Sequence, residues 1–414
     1  MKSIPVILAT LAVLSLAACG TQHARAAGEI EEAADVRDAS NITWRFQNMD
    51  ALYPVAQVSR GDGPVRSLVS RPQDLSSVTF RGVDGAQSTI DNFIARTRVG
   101  ALLVVQDGGI VFEHYGNGQS PETRHIVWSV TKSFTALLAE MLIADGILDD
   151  DAMIGTYVPE LQGSAFGDAT IRQALNMQVG ADFTEDYADP NSSIAEFIFS
   201  AGLMERPPGS AGPDSLHAFL PTIAKKGDHG GLFQYNTATT EVVGWTVERA
   251  SGKPVNALFS ELIYARIGAE ADAFFLAADA NRTAMAGGGL SVTARDLARL
   301  GLLVLQDGQA ADGTQVVPAG IIESIRAADL SLQDWAVPDG TSTYRSFWYV
   351  NAPRRTTVAM GVHGQMLYVA PDSHLVAVLL SSNDDADGDF FVDAEFLFNA
   401  LSDHFADRPA EAGD

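Results

Sequence analysis

The chain has 414 residues, 46% of them hydrophobic and 8% aromatic, enough to bury a sizeable core in two or three structural units. Its formal net charge is −25, from 27 basic and 52 acidic residues, so its surface repels nucleic acid and anionic headgroups, and neither is expected as a partner. No apolar run after residue 18 is long enough to span a bilayer.

Lys2 supplies a positive start, and 4–16 is an apolar run about the length of a signal core. Leu16-Ala17-Ala18-Cys19 then resembles the lipobox of bacterial lipoproteins. The resemblance implies that 1–18 is removed and Cys19 is lipidated. The rival reading is an ordinary secretory signal with an incidental cysteine. Cys19 is the single cysteine, which excludes an intrachain disulfide and a cysteine-rich zinc site. The expected location is the bacterial cell envelope, anchored through Cys19 on the periplasmic side of the outer membrane. Residues 19–41, rich in Ala, Glu and Asp, are expected to form a tether.

Residues 42–90 show no clear period and are expected to be extended and loop-rich. The runs 101–105 and 110–114 flank Asp107-Gly108, a strong hairpin signal. A helix is expected over 129–145, where Phe134, Leu137, Leu138, Met141 and Leu142 recur at helical spacing and Gly146 can end it. Residues 155–280 read as helices and loops, clearest at 170–175 and 240–250. Gly287-Gly288-Gly289 marks a tight backbone passage before a helix at 293–305. Strands are expected at 347–350, 356–362, 365–370 and 375–381, and a closing helix at 394–405. Strands at both ends around a helical middle predict an α/β catalytic domain (42–154 with 281–414), its antiparallel sheet flanked by helices, and an inserted all-α domain at 155–280.

Ser129-Val130-Thr131-Lys132 is an S-x-x-K pattern. On a helix, positions i and i+3 share a face, so the amine can approach the hydroxyl. The helix N-terminus favours a developing oxyanion, and burial lowers a lysine pKa towards neutrality. Serine needs such a base to become a nucleophile. The chain holds five lysines, so a serine three residues before one of them is expected roughly 0.3 times by chance. The bland alternative is a surface lysine beside a helix-capping serine.

Further motifs favour the catalytic reading. Tyr235-Asn236-Thr237 stands where S-x-x-K enzymes carry Ser-x-Asn or Tyr-x-Asn. A phenol beside an ammonium ionises more easily and can relay a proton. With 128–133, 186–190, 233–237, 291–299 and Gly361-Val362-His363-Gly364-Gln365, the chain resembles the class C β-lactamase-like serine hydrolases. The likeness spans roughly residues 100–385. It is nearest to the branch of 6-aminohexanoate-dimer hydrolases and related esterases.

That resemblance implies a β-lactamase/transpeptidase-like fold, Ser129 as nucleophile, Lys132 as base and Tyr235 as proton shuttle. It also implies an oxyanion hole from the backbone N–H groups of Ser129 and Val362. Tyr187, Thr237 and His363 become candidate substrate contacts, Tyr187 by its match to a substrate-contacting tyrosine. His363 also suits a purely structural role, and no G-x-S-x-G elbow supports a Ser-His-Asp triad. One departure stands out: Ala359-Met360-Gly361 occupies the place of the usual Lys-Thr-Gly, and Arg354 and Arg355 are the nearby cations. No metal, nucleotide or other cofactor motif is present. The expected activity is acyl transfer on a small ester or amide. The rivals are a β-lactamase or penicillin-binding-type peptidase, a lipid-active secreted esterase and a non-catalytic binding protein on the same fold.

Overall fold

The computed structural model describes residues 41–328 and 342–406. The signal segment, Cys19 and nearly all of the tether lie outside the described residues. In chain order the strands are β1 (Val55–Val58), β2 (Val69–Ser70), β3 (Thr79–Arg81), β4 (Gln87–Thr89), β5 (Val99–Gln106), β6 (Gly109–Tyr115), β7 (Arg124–Ile126), β8 (Ala273–Leu276), β9 (Leu290–Thr293), β10 (Ser342–Arg345), β11 (Trp348–Asn351), β12 (Thr356–Gly361), β13 (Gln365–Ala370) and β14 (Leu375–Ser381). Eight of them form one sheet in the order β10-β11-β12-β13-β14-β5-β6-β2. Its neighbours are antiparallel except for β2, which runs parallel to β6 at the edge.

The central pairing joins β14 to β5, so the two ends of the chain build one sheet, as expected. The hairpin β5–β6 turns at Asp107 and Gly108 with φ of +49° and +74°, the left-handed pair that Asp-Gly tolerates. Successive residues on a strand face opposite sides, and β13 shows it. Leu367 packs against the helix Ala294–Leu305, which approaches so closely that a Cβ on Gly301 would lie 2.9 Å from Leu367 Cδ1 and 2.5 Å from Val376 Cγ1. Tyr368 faces the helix Asp389–Ala406, donating its hydroxyl to Asn399 Oδ1 at 2.9 Å. Helices therefore cover both faces.

Two expectations need correction. The segment 155–280 carries its expected helices, including Thr237–Ser251, but it also contains β8, which pairs with β1 and β9. Ala273-Phe274-Phe275-Leu276 is a short run buried on both sides, and without alternation such a run cannot be told from a helical stretch. Residues 42–90, expected to be merely extended, include the helix Ile42–Gln47 and give β1 to the small sheet β1-β8-β9-β7. Their apolar residues pack against elements far along the chain, so no local period marks them.

Candidate active site

Ser129 stands three residues after the end of β7 and is the N-cap of the helix Val130–Ala144. Trp128 before it has φ of +45°, a costly conformation for a bulky side chain that turns strand into helix abruptly. Phe46, from the helix Ile42–Gln47, holds the Trp128 ring edge-on at a centroid distance of 5.3 Å. β7 pairs with β9, and Val127 N–H donates to Leu290 O at 2.9 Å. Thr131 Oγ1 accepts from Leu290 N–H at 3.1 Å, and Thr135 Oγ1 donates to Ala286 O at 2.8 Å. These bonds pin the passage Gly287-Gly288-Gly289 alongside the Ser129 turn.

Lys132 is buried, 1% exposed. Its Nζ donates to Ser129 Oγ at 3.0 Å and to Gly287 O at 2.5 Å. Burial pushes its pKa down to about 8, against the opposing pull of Glu185 and Glu241. Glu241 lies one turn into the helix Thr237–Ser251 and accepts from Gly287 N–H at 2.7 Å and Ala286 N–H at 3.0 Å. Burial holds its carboxyl well above the usual range, offset in part by these amides and by Lys132. The Tyr235 ring centroid is 5.3 Å from Lys132 Nζ. Burial, then Tyr349, Glu185 and Tyr344, raise the Tyr235 pKa, while a hydrogen bond with Ser129 pulls the other way. The net direction is upward, opposite to the easing expected from a neighbouring ammonium, with desolvation the first cause.

The end of β12 closes the other side. A Cβ on Gly361 would sit 2.4 Å from Val127 O and 3.0 Å from Ser129 N, so only glycine lets Val362 come this near the Ser129 turn. Gln365, fully buried, staples the bend: its Nε2 donates to Val362 O at 3.1 Å and to Ser381 O at 2.7 Å. His363 has φ of +64°, donates Nδ1–H to Asn383 O at 2.8 Å and packs edge-on against Phe46. These contacts fit the structural reading, although the ring also borders the cleft.

Tyr187 donates its hydroxyl to Glu185 Oε1 at 2.8 Å. Thr237, at the motif's third position, donates Oγ1–H to the same oxygen at 2.7 Å and its N–H to Glu185 Oε2 at 2.8 Å. Glu185 thus ties the two candidate substrate contacts together. Neither Glu185 nor Glu241 was singled out from the sequence. Glu241 carried a usable signal, an acid four residues after Thr237 on one helix face; Glu185 lies in a loop and carried none.

Ser129 lies where two clefts meet. One is apolar, walled by Ile194, Phe197, Ile198, Leu203 and Met285. The other is lined by Glu185, Tyr235, Tyr349, Met360, Val362 and Asp387. Arg354 is paired with Asp403 at 2.7 Å, and Arg355 with Glu323 at 3.5 Å, so these two cations are engaged elsewhere. Among the described residues one acidic triplet, Asp149, Asp150 and Asp151, has metal-ligand spacing; it stands on an exposed loop, and Asp150 is engaged by Arg172.

The sequence profile of the beta-lactamase family matches residues 86–402. The chain belongs to the beta-lactamase family. Within the family it is 35% identical over 360 residues to the 6-aminohexanoate-dimer hydrolase of Paenarthrobacter ureafaciens, covering 85% of this chain and 88% of that one. A Bacillus anthracis structure carrying the same hydrolase name aligns with a TM-score of 0.83 at 25% identity, over 91% of this chain and 97% of the other. A family VIII carboxylesterase shares the fold at a TM-score of 0.56 and 16% identity, over 75% and 96%. The protein is thus a beta-lactamase-fold hydrolase with esterase and amidohydrolase neighbours.

Proposed function

We propose that this protein hydrolyses esters or amides through an acyl-enzyme on Ser129. The observation that carries the reading is the buried Lys132 amine, 3.0 Å from Ser129 Oγ, with its pKa pushed down towards neutrality. Neutral Lys132 takes the Ser129 proton as Oγ bonds to the carbonyl carbon. The backbone N–H groups of Ser129 and Val362 hold the oxyanion, and such a donor typically contributes about 3 kcal/mol. Tyr235, kept protonated by its surroundings, donates its proton to the departing oxygen or nitrogen as the carbon–leaving-group bond breaks. The Lys132 ammonium then reprotonates Tyr235. Water enters, gives a proton to Lys132 and bonds to the acyl carbon; as the carbon–Oγ bond breaks, Lys132 returns that proton to Ser129 Oγ and the acid leaves. Tyr187 and Thr237, both bound to Glu185, flank the substrate.

Replacing Ser129 by Ala should cut turnover of a p-nitrophenyl ester by about 1,000-fold or more. Undiminished turnover would overturn the assignment. β-Lactam or peptidoglycan substrates fit less well, because Met360 stands near where Lys-Thr-Gly would place a cation and the nearby arginines pair elsewhere. Slow turnover of nitrocefin relative to a short ester is the expected result.

A further inference from the structure

We infer that the two clefts at Ser129 sort the two halves of the substrate by charge: the acyl group is uncharged and apolar, and the leaving group is neutral or cationic, never a carboxylate. The inference rests on the acyl-enzyme reading above. Tyr235, the proton donor to the leaving group, lines one cleft and not the other. The leaving group therefore lies on the Tyr235 side, and the acyl group enters the cleft walled by Ile194, Phe197, Ile198, Leu203 and Met285.

No Asp, Glu, Lys or Arg lines that apolar cleft among the described residues. Apart from Ser129 itself, its hydroxyl groups, on Tyr187 and Thr237, are already donated to Glu185. A charged acyl terminus would lose water there and find no counter-ion, which is strongly unfavourable. The Tyr235 side differs. Glu185 and Asp387 line it, and it runs on into an open groove bounded by Asp186, Asp384 and Asp385. Asp384 is engaged by Arg98 at 2.9 Å, and no Lys or Arg lines either stretch among the described residues. Carboxylates without lining cations attract positive leaving groups and repel negative ones. Tyr187 borders all three spaces and marks the divide.

Matched substrates test each half. With p-nitrophenol as the leaving group, kcat/KM for the hexanoyl ester should exceed that for the adipic half-ester and for the 6-(trimethylammonio)hexanoyl ester by at least about tenfold. With hexanoyl fixed, a trimethylammonio-phenyl ester should exceed a carboxyphenyl ester by a similar factor, and 0.5 M salt should narrow the gap. Phe197→Ala should shift the acyl-length optimum upwards, and Asp385→Asn with Asp387→Asn should shrink the leaving-group preference. Equal rates across the charged and uncharged acyl esters, or preference for the carboxyphenyl ester, would overturn the inference. Turnover that survives Ser129→Ala would instead remove the acyl-enzyme reading beneath it.

Discussion

Lys132 sits between opposing influences. Burial favours its neutral form; Glu185 and Glu241 favour the ammonium. A base must be neutral to accept a proton, so kcat/KM should rise with pH through an inflection near 8. Glu241→Gln removes one influence that holds the proton on, and the inflection should move to lower pH. A pH–rate profile of the two proteins checks this; an unmoved inflection would separate Glu241 from the titration of Lys132. Gly361 offers a second residue-scale test. In Gly361→Ala the new methyl group presses on Val127 O and Ser129 N, the region assigned to the oxyanion. Activity should fall by about 100-fold or more, and stability by about 1–3 kcal/mol, measured by ester turnover and urea unfolding.

At the scale of elements, the stretch 291–299 that contributes to the family likeness turns out to hold structure together. Asp296 is fully buried and caps its helix through Thr293, accepting from Thr293 Oγ1 at 3.0 Å. It also accepts from the backbone N–H groups of Glu270 and Ala271 at 2.8 and 3.1 Å, just before β8. Arg299 pairs with it at 2.8 Å and reaches back to Arg66 O. One carboxylate therefore joins the start of the helix Ala294–Leu305 to the entry of β8. Asp296→Ala leaves a buried guanidinium and two amides short of an acceptor, and should cost about 3–5 kcal/mol in denaturant unfolding. Because none of these groups lines the clefts, protein that remains folded should keep its KM.

At the scale of the whole molecule, the small sheet and the end of β12 bring together segments distant in sequence. Ser129 comes from the turn between β7 and the helix Val130–Ala144, Gly287 from the entry to β9, Val362 from just after β12, and Tyr235 from the residues before the helix Thr237–Ser251. The lipid anchor is a proposal at this scale. If Cys19 carries it, Cys19→Ser should move the protein from the membrane fraction to the soluble fraction of cells, and metabolic labelling with palmitate should be lost. Labelling that persists in the variant would refute the anchor.

Local chemistry was legible in the sequence. Asp107-Gly108 named its hairpin, alternation and apolar runs marked the strands of the large sheet, and the i, i+3 spacing of Ser129 and Lys132 placed amine beside hydroxyl, because each depends on neighbours a few residues apart. Tertiary structure decided what depends on distant partners. β8 was hidden because a run buried on both sides has no alternation. Glu185 and Glu241 were hidden because a carboxylate matters to Lys132 only once folding removes the water between them. The direction of the Tyr235 shift was decided the same way: next to an ammonium in water a phenol ionises more readily, but burial beside Tyr344, Tyr349 and Glu185 pushes its pKa up.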